Sequence, residues 1–198
     1  MNAIVPKVIL PFREVLPLFL NDNHWLGKGA EVGVQKGLFS EIILTYWKGE
    51  VLYSIDPWKE FEETLYPDNA NVSQAEQDAI YQEAVDRLSP FGERSRILRK
   101  TSEEASKAFE AESLDFVYID AQHTYQAVSR DIRLWYPKIK KGGLICGHDY
   151  IPDSIFWYGI FGVQSAVNQF AANRGLEVLI SGEKLEEQKV ASWFIIKP

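Results

Sequence analysis

Short apolar runs recur along the chain, and most of them end abruptly on a glycine or an acid. The clearest is Phe116-Val117-Tyr118-Ile119, rich in β-branched and aromatic residues, which stops at Asp120. A run that is apolar at every position predicts a strand buried on both faces, the signature of a parallel sheet between helices. From about Tyr125 the period changes: Val128, Ile132, Leu134 and Trp135 fall near one face at spacings of three and four, which predicts an amphipathic helix. Pro137 limits that helix, and Lys141-Gly142-Gly143 turns the chain into a second run, Leu144-Ile145-Cys146, which ends on Gly147-His148-Asp149-Tyr150.

The same alternation holds upstream and downstream. Ala30-Glu31-Val32 is a short strand, Gly33 to Gly37 a turn, and the helix that follows carries Ile42, Ile43 and Leu44. Val51 to Ile55 predicts the next strand, ending on Asp56, and Arg96 to Arg99 a weaker third. Residues 59–80 are polar and acidic, with a turn at Pro67-Asp68-Asn69, and look inserted before a helix over about Gln77 to Leu88. An insertion of that length is often a lid or a substrate-binding element. Thr101 or Ser102 caps a further helix. Ile151 to Phe161 crowds Phe156, Trp157, Tyr158 and Phe161 into a loop, and Gly162-Val163 opens a helix that closes near Gly175. Those aromatics suit either the wall of a pocket or a contact in a homo-oligomer. The runs Glu177 to Ile180 and Ala191 to Ile196 suit a terminal antiparallel hairpin. Strands alternating with helices make the chain an α/β protein with a doubly wound sheet. Residues 1–28 form an N-terminal helical extension, and residues 29–198 a single domain.

Composition narrows the partners. A net charge of -7 argues against nucleic acid, whose phosphates demand basic patches. Arg94, Arg96, Arg99 and Lys100 read as a solvated face. The one cysteine, Cys146, lies in an apolar run and excludes an internal disulfide. The stretch MNAIVPKVILPF is neither a membrane span nor a signal peptide, which leaves the cytoplasm as the default location.

In an open parallel sheet, ligands bind at the carboxyl ends of the strands. Asp120 and His123 from one strand end would therefore face His148 and Asp149 from the next, as a His base beside acids or as ligands to a divalent cation. Gly33 and Gly37 suit close approach of backbone to a ligand at a helix start, and Asp56, about 20 residues on, suits a ribose diol. The G-x-G-x-x-G of nicotinamide-dependent oxidoreductases is absent after this strand.

With these elements in order, the sequence resembles the class I S-adenosylmethionine-dependent methyltransferases. Within them it is similar to the group that methylates hydroxyls of sugars and small natural products. The resemblance rests on Glu31-x-Gly33-x-x-x-Gly37, Asp56, Ile119-Asp120-x-x-His123-x-Tyr125, Trp135-x-Pro137 through Gly142-Gly143, Gly147-His148-Asp149-Tyr150 and the Gly162-Val163 helix start. It implies a Rossmann-like seven-stranded sheet in the order 3-2-1-4-5-7-6 with the last strand antiparallel. It implies S-adenosylmethionine as cofactor, with Glu31, Gly33 and Gly37 against its methionine part, Asp56 on the ribose, Ser102 near the adenine, and Asp120 beside it. It further implies His123 as the base, acting with Asp120 and Asp149, and a divalent cation on Asp120, His148 and Asp149. His148 stands where such relatives carry an acid, so the ion is either magnesium with more water or a softer metal, or the enzyme works without one. The alternatives are a non-catalytic cofactor-binding protein of the same fold and an N-methyltransferase.

Overall fold

A computed structural model describes residues 6–66, 68–156, 159–183 and 190–198. In chain order the strands and helices are β1 (Lys7–Leu10), α1 (Leu16–Asp22), β2 (Lys28–Val32), α2 (Leu38–Tyr46), β3 (Val51–Asp56), α3 (Gln74–Leu88), β4 (Ser95–Arg99) and α4 (Ser102–Ser106). There follow β5 (Leu114–Ile119), α5 (Tyr125–Trp135), β6 (Ile139–Gly147), β7 (Ser154–Phe156), β8 (Gly159–Phe161), α6 (Val163–Ala172), β9 (Leu179–Ser181) and β10 (Trp193–Ile196). The main sheet has the order β1-β9-β10-β6-β5-β2-β3-β4. β10 runs antiparallel to both its neighbours. The other pairs are parallel.

Read from the far edge, β4-β3-β2-β5-β6-β10-β9 is the expected order of seven strands. The sheet nevertheless has eight strands, because the segment before residue 29 is helical only in part. Lys7–Leu10 pairs in parallel with β9 as an edge strand, and α1 follows it. The aromatic stretch after Tyr150 also differs from the expected loop. Ser154–Phe156 and Gly159–Phe161 form a two-stranded antiparallel hairpin, while Trp157 and Tyr158 lie outside the described residues.

The period of two along the central strands divides the core. Val117 and Ile119 of β5, with Trp193 and Ile195 of β10, pack against Val128, Ile132 and Trp135 of α5 and Val167 and Phe170 of α6. Phe116 and Tyr118, with Phe194, face the other way onto Leu16 and Leu20 of α1 and Ile43, Leu44 and Trp47 of α2. All six residues of β5 are buried, which is why its sequence carries no alternation. The hairpin of β9 and β10 closes the sheet as expected, and Cys146 is buried as a free thiol. Arg94 is not simply solvated: it donates to the carbonyls of Leu44, Gly49 and Trp47 and ties β4's approach to α2. Among the described residues no helix is long and apolar enough to cross a membrane.

A carboxyl group is among the polar groups buried in this core. Glu31 of β2 is 2% exposed and accepts a hydrogen bond from Ser40 of α2, whose hydroxyl also meets that of Ser54 on β3. Burial raises its carboxyl to about 8, against the bond from Ser40, so it is folded in as a neutral acid at pH 7. An unfolded glutamate ionises near 4.3, so the folded state holds the extra proton between those values. Stability therefore declines as pH rises through that window, by an upper bound of roughly 5 kcal/mol. Glu31→Gln, which keeps the shape and cannot ionise, is expected to gain in melting temperature over the wild type as pH goes from 5 to 8.5. A difference that stays constant with pH would show that Glu31 is ionised in the fold.

Candidate active site

Among the described residues, most of the groups singled out for chemistry gather at the carboxyl ends of β2, β3, β5 and β6. The tip of β2 is tied to both its neighbours: Gly33 donates to the carbonyl of Ile55 on β3, and Asp120, at the end of β5, donates to the carbonyl of Val32. Gly33 has φ +90, and a Cβ there would lie 2.0 Å from the backbone oxygen of Asp120. No other residue type fits both constraints. Gly37, also at positive φ, is the N-cap of α2. Next to it, Asp56 takes amide hydrogens from Val34 at 2.9 Å, Gln35 at 3.0 Å and Trp58 at 2.8 Å. A carboxylate has about four acceptor positions; two are spent on holding the glycine turn to β3 and one on the Trp58 amide just beyond β3. In this arrangement about one acceptor position of Asp56 is left for a ribose hydroxyl.

The second half of the site lies beyond β5 and β6. The loop from Asp120 carries His123 to the start of α5, which Thr124 caps by accepting from the Ala127 amide. His123 is held on three sides. Its Nε2 is 3.1 Å from Asp149 Oδ2, its Nδ1 is 3.0 Å from Asp68 Oδ2, and its ring stacks on Phe161 of β8 at 4.7 Å between centroids. His148 Nδ1 approaches the same Asp149 oxygen at 3.4 Å. Asp120 Oδ1 is 4.0 Å from both imidazoles, and its Oδ2 is 3.2 Å from an Arg13 guanidinium nitrogen. Asp149 itself has φ 58, a left-handed conformation that aspartate tolerates better than most residues.

These distances set the charges. Burial alone would lower His123, but its bonds to Asp149 and Asp68 outweigh that and lift it to about 10. His148 is raised as well, by Asp149 and Asp120 against burial. Burial would raise Asp149, yet the bonds from the two imidazoles hold it well below the usual carboxylate range. Asp120 is pushed up, chiefly by burial, against the pull of His148 and Arg13.

Of the residues singled out in the sequence, Gly33, Gly37, Asp56, Asp120, His123, His148 and Asp149 share this edge. Glu31 lies one turn of chain beneath it, in the core. Ser102 is engaged elsewhere: its hydroxyl donates to Asp131 at 2.7 Å and accepts from the Trp135 indole at 2.9 Å, joining α4 to α5. Two residues of the site were not foreseen. Arg13 arrives from the segment between β1 and α1, and Asp68 from the inserted stretch before α3. Both are single charged residues without periodic context, and their partners are 107 and 55 positions away.

The donor set decides what ion it suits. Magnesium prefers hard oxygen ligands in octahedral array. Here two of the four converging groups are imidazoles, and both acids already face cations, so the residues do not fit magnesium. Carboxylate with imidazole is the donor chemistry of softer divalent ions. Ligand atoms of Asp120, His123 and Asp149 lie within 4.8 Å of one another, where such an ion would compete with the proton of His123.

Comparison with known proteins identifies the family and the fold. The family described as "Methyltransferase domain" matches residues 30–150. The uncharacterized protein y4gI of Sinorhizobium fredii (strain NBRC 101917 / NGR234) is 28% identical over 116 residues, which is 56% of this chain and 13% of that protein. The chain thus spans a small fraction of the curated relative it matches. Among solved structures, a Klebsiella pneumoniae protein provisionally named an O-methyltransferase superposes with TM-score 0.65 at 14% identity, covering 93% of this chain and 79% of the other. The O-methyltransferase from Bacillus cereus in complex with S-adenosylhomocysteine gives 0.62 at 13% identity over 93% and 80%. An rRNA methylase from Streptococcus thermophilus gives 0.63 at 12% identity over 96% and 99%. At such identities the likeness establishes the fold and leaves the acceptor open. By its family match and its sheet, the chain belongs to the methyltransferase-domain family and is a class I S-adenosylmethionine-dependent methyltransferase domain.

Proposed function

We propose that this chain transfers the methyl group of S-adenosylmethionine to a hydroxyl of a small molecule, with His123 receiving the hydroxyl proton. The observation that carries the reading is the imidazole of His123, fixed on three sides at the end of β5 with Nε2 turned toward Asp149. The Gly33–Gly37 turn would hold the methionine part of the cofactor at the start of α2, and Asp56 would stand beside its ribose. The negative net charge and the buried acids oppose a polynucleotide acceptor.

Methyl transfer is an in-line displacement at carbon, so the protein's largest contribution is alignment of oxygen, methyl and sulfur, about 7–11 kcal/mol of the barrier. The acceptor hydroxyl enters between His123 and Asp149, replacing their direct contact. With Asp149 no longer bonded to Nε2, the imidazolium becomes a stronger acid and gives its Nε2 proton to solvent before transfer. Neutral His123 then accepts the hydroxyl proton as the new bond forms, worth about 10²–10⁴-fold. Asp120, paired with Arg13, and Asp149, paired with His148, keep the surrounding charge fixed during the transfer. No step requires a metal.

Two outcomes are expected. Purified His123→Ala should bind S-adenosylhomocysteine calorimetrically within about twofold of wild type, with or without magnesium, and lose about 10²-fold or more in transfer of labelled methyl to a small-molecule extract. Unchanged transfer removes His123 from the chemistry, and loss of activity on chelation that zinc, iron or manganese restores reassigns His123 and Asp149 as ligands. In the free enzyme His123 is protonated up to about 10, so kcat/KM should climb by about tenfold per pH unit from 7 toward 9. A flat profile over that range contradicts a proton acceptor at this position.

A further inference from the structure

We propose that Asp68, delivered by the stretch between β3 and α3, is the positioning residue for His123. The inference rests on the reading of His123 as proton acceptor. A neutral imidazole accepts at one nitrogen only if the other carries the hydrogen, and the tautomer is set by whatever that other nitrogen bonds. Here Nδ1 meets Asp68 Oδ2 at 3.0 Å, which leaves Nε2 as the accepting side, toward Asp149.

Asp68 is built for the task rather than passing by. Its side chain is 7% exposed, and its second oxygen, Oδ1, accepts from the Ala70 amide at 2.9 Å. Its backbone bridges to Gly159 of β8, where a Cβ would stand 2.9 Å from Oδ2. The stretch around it is anchored in turn. Asn71 bonds the backbone of Phe61 and Tyr66, Gln77 of α3 donates to the carbonyl of Ala70, and Gln122 donates to the carbonyl of Leu65. The same β8 strand supplies Phe161 under the imidazole ring. Two segments outside the main sheet, the stretch between β3 and α3 and the hairpin of β7 and β8, thus meet on one side chain and fix its tilt and its hydrogen. The other charged groups facing the ring are Asp120 from the end of β5 and Asp149 and His148 from the end of β6, with Arg13 behind Asp120.

The chain has three histidines, so imidazole proton and nitrogen resonances can be assigned by the loss of His123's signals in His123→Gln. In the wild type we expect a strongly downfield, exchange-protected Nδ1–H resonance for His123, and we expect Asp68→Ala to abolish it. This arm needs no acceptor. In the transfer assay with labelled S-adenosylmethionine and a small-molecule extract, Asp68→Ala should lose about 10²-fold at saturating cofactor, with S-adenosylhomocysteine affinity within about twofold. Asp68→Glu should recover part of the rate. Should Asp68→Ala not fold, Gly159→Ala displaces the carboxylate without removing it and should move both readouts the same way. Retention of the Nδ1–H resonance, or of full rate while His123→Ala is inactive, overturns the positioning role and leaves the base in place. Full rate in both Asp68→Ala and His123→Ala means that the underlying reading of His123 has failed.

Discussion

Three carboxylates with little access to water have been brought within a few ångströms of one imidazole, and the rest of the site follows from how they are neutralised. Asp68 and Asp149 flank His123, Asp149 also receives His148, and Asp120 is turned toward Arg13. Partly buried charges of one sign are costly unless opposite charge or hydrogen bonds meet them. Each partner comes from a different part of the chain, so the charge balance joins the N-terminal segment, the insertion before α3, and the ends of β5 and β6. It also makes the site a poor donor set for magnesium, since the acids that would bind a hard cation face cationic partners.

The sheet makes this convergence possible. Parallel neighbours present all their carboxyl ends on one edge, and the missing side chain at Gly33 lets the β5 turn close onto the β2 turn. Asp56 then stitches the glycine turn to β3 through the Val34 and Gln35 amides, so that this turn is braced before any ligand arrives. A turn braced in this way loses less conformational entropy on binding.

Much of this was legible in the sequence. Strands buried on both faces announce themselves as unbroken apolar runs, and an acid at the end of such a run is conspicuous, so Asp56, Asp120 and Asp149 stood out. The eighth strand did not, because Lys7–Leu10 is an edge strand with Val8 mostly exposed and a proline before it. The hairpin of β7 and β8 was hidden by aromatic crowding that suits a loop equally well. Arg13 and Asp68 were illegible for a different reason. Their meaning lies in tertiary contacts across 107 and 55 residues, and nothing in their local spacing distinguishes them from solvated charges. Ser102 shows the converse: a helix start at Thr101-Ser102 was readable, with Thr101 the cap and Ser102 the first helical residue, but the Ser102 hydroxyl's commitment to Asp131 and Trp135 was not.

The central claim is that one cleft at this edge serves both cofactor and acceptor. A crystal structure with S-adenosylhomocysteine tests it most directly. The account predicts the amino-acid end over the Gly33–Gly37 turn, the nucleoside toward Asp56, and the sulfur facing the gap between His123 and Asp149. A nucleoside bound away from Gly33, or a sulfur turned from that imidazole, would contradict it.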